Sequence, residues 1–276
     1  MIVEKDPDAA HRLNLLYRVL HTYESRLVGA DPGFMQGSPL ALDGDRSTVL
    51  QPGHRAYLHL RSTYEFLDSI GRLVQAKKTF SPLGVEQAMG RTALLAACKA
   101  LYLLEPDDSD ERFRRCAALA LEDDKSSLRE VRDALAVVDE SDPIHKTFTD
   151  WREKLRCDQS GILEEVTRLG LTPVALKGDG ELFGIVARYL DRVSPLPQPD
   201  DVRPTKSVSY RAILMRYWNQ TSGYAHAHTW PLLRIAESAP GTNQLTVAAN
   251  IADVIGLLTM IWDVFDNAMS LLQQRG

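Results

Sequence analysis

Apolar residues recur at steps of three and four along most of the chain, the spacing that places them on one side of an α-helix. The first such run extends from Asp8 to Val28, and a second begins at Pro52, where the missing N–H of proline costs nothing in the first turn of a helix. Segments 93–104 and 254–262 are apolar nearly all round, which is typical of helices in the centre of a protein. No stretch alternates strictly between apolar and polar residues, so the pattern predicts an all-α protein without significant sheet.

Helix starts are marked by residues that can cap exposed backbone groups. A third helix is expected to open at Ser81–Pro82, and Asp108 followed by Glu111 has the form of a capping box at the start of a fourth. Asp142 before a proline predicts a further helix, with an apolar stripe from Ile144 to Leu169 as its buried side. Taken together, these signals predict a multi-helix bundle of about seven to nine helices.

Two segments lack this helical pattern. Residues 29–51 are rich in proline, glycine, aspartate and serine and are expected to form a long loop, either a mobile surface loop or an arm with a function. Residues 191–206 contain four prolines and are expected to be extended, as an internal linker. The whole chain, 1–276, is nevertheless expected to form a single helical domain.

Charge and cysteine content exclude some classes of function. The net charge of −5 argues against a protein that coats DNA, although a local basic patch remains compatible with it. Cys98, Cys116 and Cys157 lie far apart in sequence, which fits free thiols in a reducing compartment. The N-terminus carries charges where a signal peptide is apolar, and the longest apolar stretches are too short to span a bilayer. These features predict a cytoplasmic protein without a membrane partner.

Segment 210–230 holds most of the chemically capable side chains. Gly223 can end the preceding helix in a left-handed conformation, so that His226 and His228 would lie near Arg211 or Arg216. Imidazole can transfer a proton near neutral pH, and guanidinium can bind a phosphate in a bidentate manner. The combination is suited to phosphodiester chemistry.

Alternative roles exist for the same residues. Histidines at such positions more often cap helix ends, and Tyr224 would then pack in the core. A His-x-His pair also occurs in metal sites, but no metal-binding helix motif is present, and we predict neither a metal nor a cofactor. Arg91 and Lys99, on the most apolar helix, are candidates for an anion-binding surface, although charges of this kind usually pair with nearby carboxylates.

Two segments resemble uncharacterised helical proteins of actinobacteria that are distantly similar to the HEPN superfamily. Residues 91–106 fit their pattern R-x-A-L-x-x-A-x-x-x-x-x-L-L-x-P, and Ser222, Ala225 and His226 fit a later pattern, Y-x-x-L-S-x-x-A-H. Thr221 replaces the leucine of that pattern, and Tyr217 lies one residue too early for its tyrosine.

The resemblance implies a helical bundle of a defence or toxin type that forms a homodimer and acts on RNA or a nucleotide. It carries over His226 as a catalytic residue, with Arg211 and Arg216 as looser candidates, because HEPN ribonucleases have four to six residues between an arginine and the histidine and both spacings here are longer. Tyr224, His228, Arg91 and Lys99 are then the candidate binding residues.

Two hypotheses therefore follow from the sequence. The first is a HEPN-like protein that acts on RNA or a nucleotide through an arginine and histidine site. The second is a non-catalytic helical interaction module that forms a homodimer or binds a partner protein, since apolar helices are abundant and no complete catalytic motif is present.

Overall fold

Ten helices and one short β-ladder make up the described residues of the computed structural model, which are 7–28, 32–81, 84–176, 178–196, 209–226, 236–238, 245–247 and 251–276. The helices are α1 (Pro7–His21), α2 (Glu24–Leu27), α3 (Pro39–Arg46), α4 (Pro52–Lys77), α5 (Val85–Leu104), α6 (Ser109–Leu135), α7 (Pro143–Arg168), α8 (Asp179–Val193), α9 (Tyr210–Ala225) and α10 (Ile251–Arg275). Strands β1 (Ala236–Ser238) and β2 (Leu245–Val247) pair antiparallel, with Ala236 opposite Val247.

The all-α class predicted from the sequence is confirmed, but the described residues contain one helix more than the upper limit predicted. The predicted helix 8–28 is divided into α1 and α2, and α3 lies within the predicted loop 29–51. The Ser38 side chain accepts a hydrogen bond from the Ala41 N–H (3.3 Å), and Pro39 occupies the first turn. The loop prediction is therefore wrong for these residues, because aspartates and a glycine that are typical of loops lie inside a capped helix.

The capping signals located the starts of α6 and α7. Asp108 and Asp142 each accept a hydrogen bond from a free backbone N–H, that of Asp110 (3.2 Å) and of Ile144 (2.9 Å) respectively. The predicted opening of α5 at Ser81–Pro82 is early, since α5 starts at Val85. The predicted linker 191–206 begins inside α8, which ends at Val193, and its residues from 197 on lie outside the described residues.

Helix α5 lies at the centre of the bundle. It packs against α4 and α10 along most of its length and also contacts α6, α8 and α9. Its last four residues, 101–104, are all buried, as the nearly uniform apolar pattern predicted. Helix α10 can approach closely because Gly90 has no side chain: a Cβ atom there would lie 2.7 Å from Cδ2 of Leu257.

Helix α10 is the one described helix that is long and apolar enough to cross a membrane, by length and composition alone. Its uninterrupted apolar stretch, 254–262, is shorter than the helix. In the structure its apolar residues, including Val254, Ile261 and Phe265, are buried against the rest of the bundle. Burial in the core therefore accounts for its composition.

A buried ion pair joins α3 to α6. Arg112 and Asp43 form a bidentate pair (Nε to Oδ2 2.6 Å, Nη2 to Oδ1 3.0 Å), and each side chain is only 2% exposed. Arg112 Nη1 also donates to the carbonyl oxygens of Pro106 (3.0 Å) and Asp107 (2.8 Å), and Ser109 Oγ donates to Asp43 Oδ1 (2.5 Å). Both charges are therefore fully hydrogen-bonded, which is the condition under which a buried pair is tolerated.

We expect replacement of Asp43 to be strongly destabilising. Asp43→Ala leaves the Arg112 guanidinium buried without its counter-charge, which should lower the free energy of unfolding by about 3 to 5 kcal/mol in chemical denaturation. Asp45→Ala, which removes an exposed carboxylate from the same helix, should change it by less than about 0.5 kcal/mol. The double variant Asp43→Leu, Arg112→Leu should recover part of the loss, and equal losses for the Asp43 and Asp45 variants would contradict the role of the pair.

Candidate functional site

Arg91 and one face of α9 form the most ordered cluster of chemically capable side chains near the predicted site. Trp218, Ser222 and His226 follow one another at four-residue steps, which places them on one side of the α9 backbone. Arg91, on α5, donates from Nε to Ser222 Oγ (3.0 Å), and its Cζ atom lies 4.0 Å from the centroid of the Trp218 ring. A hydrogen bond and a cation–π contact therefore fix the plane of this guanidinium.

The two Nη groups of Arg91 are not used in these contacts. Within the described part of the chain, no carboxylate forms an ion pair with Arg91, and its side chain is partly exposed. A guanidinium that is fixed at one edge and unpaired at the other has two parallel N–H groups available for the oxygens of an anion. We refer to Arg91, Trp218, Ser222 and His226 as the Arg91 site.

His226 lies just beyond the last residue of α9 and is exposed. Its backbone N–H donates to the carbonyl oxygen of Ser222 (3.0 Å), which continues the hydrogen bonding of the helix. The predicted helix stop at Gly223 is wrong, because Gly223 is buried inside α9 and the helix runs on to Ala225. His228 lies outside the described residues.

Tyr224 is positioned by a contact with the loop before α5. Gly84 has a φ angle of +75°, which glycine adopts readily, and a Cβ atom at Gly84 would lie 2.1 Å from Cδ1 of Tyr224. The ring therefore occupies space that only a glycine leaves open. This packing brings the C-terminal turn of α9 against the beginning of α5, where Arg91 lies two turns further on.

Arg211 and Arg216 do not join His226 in one site. At 1.5 Å per residue they lie about 22 Å and about 15 Å from His226 along the axis of the same helix. Arg216 also forms an ion pair with Asp253 of α10 (2.7 Å), whose other oxygen accepts from Gln220 Nε2 (3.1 Å). Arg91, from α5, therefore contacts α9 one turn before His226, whereas Arg211 and Arg216 lie nearer the other end of α9.

Lys99, the other basic residue of α5, is paired with a carboxylate. Its Nζ donates to Asp123 Oδ1 (2.9 Å), and Asp123 Oδ2 accepts from Arg55 Nη1 (3.2 Å). This pairing corresponds to the structural role that such charges usually have. Lys99 is therefore less available to an anion than Arg91.

His59 lies beside this pair and is largely buried. Its Nε2 atom finds no hydrogen-bond partner among the described residues. Burial, and to a smaller extent the positive charge of Lys99, lower the pKa of His59 from 6.5 to about 4, although Asp123 acts in the opposite direction. The imidazole is therefore neutral in the folded protein at neutral pH.

Asp179, the first residue of α8, was not identified from the sequence as a site residue, although it lies next to the Arg91 site. Burial raises the pKa of Asp179, and the positive charges of Lys99 and Arg91 oppose that rise. One turn further along α8, the Phe183 ring packs against Trp218 with 5.2 Å between centroids. No local motif marks Asp179, since its neighbours come from helices distant in sequence.

The larger open clefts are at the other end of α5. Two of them, of about 810 and about 890 Å³, lie on either side of Phe34, which packs on Gly53 and Gly276. Their linings carry few charged groups, among them Arg26 and Asp45. By size alone these clefts would be the preferred candidates for a ligand site. The fixed guanidinium of Arg91 and the exposed imidazole of His226, however, both belong to the Arg91 site.

The hairpin of α6 and α7 presents a different kind of candidate surface. Helix α7 packs mainly against α6, and its predicted apolar stripe is buried at Leu155, Ile162 and Val166. Towards the tip of the hairpin, Ile144 is 47% exposed and Trp151 is 42% exposed. The predicted burial of the apolar stripe is therefore wrong for the N-terminal part of α7, because α6 and α7 continue there beyond the core that would cover them.

Among the described residues, no group of three or more histidine, cysteine, aspartate or glutamate side chains is arranged to hold a metal ion. The chain matches no protein-family model, and no curated protein or solved structure is significantly similar to it. The resemblance to HEPN-like proteins consequently has only the residues quoted from the sequence as its basis.

We expect His59 to make the protein sensitive to acid. Because the pKa of His59 is lower in the folded protein, the unfolded chain binds the proton more tightly, so stability is present above pH 6.5 and is lost as the pH falls towards about 4. The loss from this group should reach about 3 kcal/mol, from a difference of roughly 2.5 pKa units at 1.36 kcal/mol each. Urea denaturation at several pH values gives the free energy of unfolding of the wild type and of His59→Gln. The two proteins should differ in how steeply this free energy changes with pH.

The exposed His21 offers a matched control for this measurement. His21→Gln should leave the pH dependence of unfolding close to that of the wild type, whereas His59→Gln should flatten it between pH 6.5 and 4. Parallel curves for the wild type and the His59 variant would show that this histidine is not the source of the acid sensitivity.

Proposed function

We propose that this protein is HEPN-like and of a defence or toxin type, and that it binds a phosphate group of RNA or of a nucleotide at the Arg91 site. The proposal rests on one observation: the Arg91 guanidinium is held by Ser222 and Trp218 on the face of α9 that leads to His226. The resemblance pointed to an arginine and a histidine on one helix. Here the arginine comes from α5 instead.

The geometry suits recognition of a single phosphate group. A guanidinium fixed by a stacking contact loses little further entropy when it binds two oxygens of an anion, because its orientation is already set. The net charge of −5 disfavours a broad electrostatic attraction to nucleic acid. Recognition through one preoriented arginine is compatible with an acidic protein, since it depends on local geometry.

His226 is the residue that we propose for proton transfer. It is exposed at the end of α9, one turn beyond Ser222, to which Arg91 is bonded. An imidazole in this position can take a proton from an attacking hydroxyl or give one to a leaving oxygen while the arginine holds the phosphate. Arg91 and His226 are thus assigned separable roles, in binding and in proton transfer.

We expect the two roles to separate on mutation. Arg91→Ala should weaken the binding of AMP and of a short single-stranded RNA by at least about tenfold, the effect of losing a charge-assisted pair of hydrogen bonds. His226→Ala should keep the binding and abolish RNA cleavage. Calorimetric titration measures the affinity, and gel analysis of labelled RNA measures the cleavage.

Arg188, an exposed arginine on α8, provides the matched control. Arg188→Ala removes the same charge and should leave the affinity within about twofold, which excludes a general charge effect. Arg91→Lys should restore binding only in part, because lysine keeps the charge but lacks the planar pair of donors. Equal affinities for the wild type and Arg91→Ala would refute the proposed site.

A second candidate function is homodimerisation through the α6–α7 hairpin, and the exposed apolar residues at its tip favour it. Val137, in the turn between α6 and α7, is 84% exposed, and Ile144 and Trp151 are exposed near the start of α7. Helix α7 contains five Lys or Arg and five Asp or Glu residues, so no net charge opposes a second copy. Two such hairpins packed together would cover each other's apolar stripes as a four-helix bundle does.

We expect the wild type to be dimeric and the tip to be required for the dimer. The double variant Ile144→Asp, Trp151→Asp should be monomeric in light scattering coupled to size-exclusion chromatography, because two charges would then be buried in the apolar contact. Leu163→Asp changes an exposed leucine on another side of the same helix and should remain dimeric. A wild type that stays monomeric at high protein concentration would rule out this candidate.

A further inference from the structure

One of the two open clefts beside Phe34 combines an apolar wall with a basic rim. This cleft has a volume of about 810 Å³ and is lined by α2, the start of α4, the last turns of α10 and the segment that carries Phe34. Its wall includes Phe34, Tyr57 and Leu272, and its rim carries Ser25, Arg26 and Gln273. We refer to these residues as the Tyr57 cleft.

Both aromatic side chains of the Tyr57 cleft are held by contacts with neighbouring elements. Tyr57 is buried, and its hydroxyl donates to the carbonyl oxygen of Leu27 (3.2 Å). The Phe34 ring lies against the backbone of Gly53, where a Cβ atom would be 2.8 Å from ring atoms Cε2 and Cζ. The same Cβ atom would lie 3.1 Å from Cβ of the buried Leu40, so the ring fits a notch that a side chain at Gly53 would fill. The cleft thus has two aromatic walls in defined positions, which suits a planar apolar group.

The charge of the rim favours an anion. Arg26 is exposed, and within the described part of the chain no carboxylate forms an ion pair with it, since the nearby Glu24 is paired with His21 (3.5 Å). None of the described lining residues has an acidic side chain, whereas Asp45 lines the cleft on the other side of Phe34. A guanidinium beside a hydroxyl and an amide offers several N–H and O–H donors to a carboxylate.

We propose that the Tyr57 cleft binds a small aromatic carboxylate, with its ring against Phe34 and Tyr57 and its carboxylate at Arg26. The volume is within the range of clefts that hold small organic ligands, and an apolar wall with a few polar donors is typical of them. A ligand with one planar ring system and one anionic group matches both the wall and the rim. The cleft shares no residue with the Arg91 site, so the proposal does not depend on the proposed function.

Three compounds of similar size test the chemistry of the ligand. Calorimetric titration of the full-length wild type should give 2-naphthoate a dissociation constant below about 1 mM. 2-Naphthamide has the same rings without the charge and should bind about tenfold more weakly, as expected for a lost charge-assisted contact. Decalin-2-carboxylate keeps the charge without the aromatic rings and should bind about fivefold more weakly. A wild type that binds 2-naphthoate no better than either of the other compounds would overturn the proposal.

The Arg26→Ala variant tests the cation. It should bind 2-naphthoate about tenfold more weakly and 2-naphthamide as the wild type does, because only the charged compound uses the guanidinium. Arg18→Ala removes the same charge from an exposed position on α1 outside the described lining and should bind both compounds like the wild type. Equal affinities of the wild type and Arg26→Ala for 2-naphthoate would contradict the proposal. Because Arg26 is exposed, its replacement leaves the core intact.

The Phe34→Leu variant tests the aromatic wall. It keeps an apolar side chain but removes one ring, so the preference for 2-naphthoate over decalin-2-carboxylate should fall at least about twofold. Phe66→Leu, which changes a partly buried phenylalanine of α4 outside the described lining, should keep that preference. An unchanged preference in Phe34→Leu would refute the position proposed for the ring. Thermal melting of all variants establishes that they are folded.

The same titrations distinguish this cleft from the Arg91 site, which also combines an arginine with an aromatic ring. Arg91→Ala should bind 2-naphthoate like the wild type. If Arg91→Ala loses this binding and Arg26→Ala retains it, the compound binds at the Arg91 site and the proposal for the Tyr57 cleft is overturned. If Arg26→Ala loses the binding while Arg91→Ala binds AMP as well as the wild type does, the cleft stands and the proposed function fails.

Discussion

The fold depends on burying α5 on nearly all sides. An apolar helix of this kind gains stability only when other helices cover it, and here α4 and α10 cover most of its length while α6, α8 and α9 close the remainder. The close approach of α10 at Gly90 follows from the same requirement. The positions of the surrounding helices, and hence of the side chains that they bring together, are consequences of this central burial.

Polar side chains on α5 form hydrogen bonds, ion pairs or ring contacts with other elements. These contacts explain where the candidate site lies. Glu86 is fully buried and accepts the Ser81 N–H with both of its oxygens (3.0 Å each). Lys99 is paired with Asp123. Arg91 is held by its Nε and by the face of its guanidinium, which leaves its Nη donors unused among the described residues. The packing of α5 against its neighbours thus also fixes the orientation of the Arg91 guanidinium at the surface.

The sequence predicted the class of fold and part of the site, because those depend on local patterns. Helical periodicity and the caps at Asp108 and Asp142 are properties of neighbouring residues, and they located most helices. The partners of Arg91 and of Arg112 are 131 and 69 residues away, and no local pattern encodes such contacts. The sequence consequently paired His226 with nearby arginines and treated the segment around Asp43 as a loop.

The two candidate surfaces differ in what the core contributes to them. At the Arg91 site, contacts with the partly buried Trp218 and Ser222 fix the guanidinium, so its orientation is set before any ligand binds. At the hairpin tip the core contributes nothing, and apolar groups are exposed for that reason. A guanidinium with a fixed orientation favours binding of a small anion, whereas exposed apolar side chains favour contact with another protein surface. The two candidate surfaces therefore suit different kinds of binding partner.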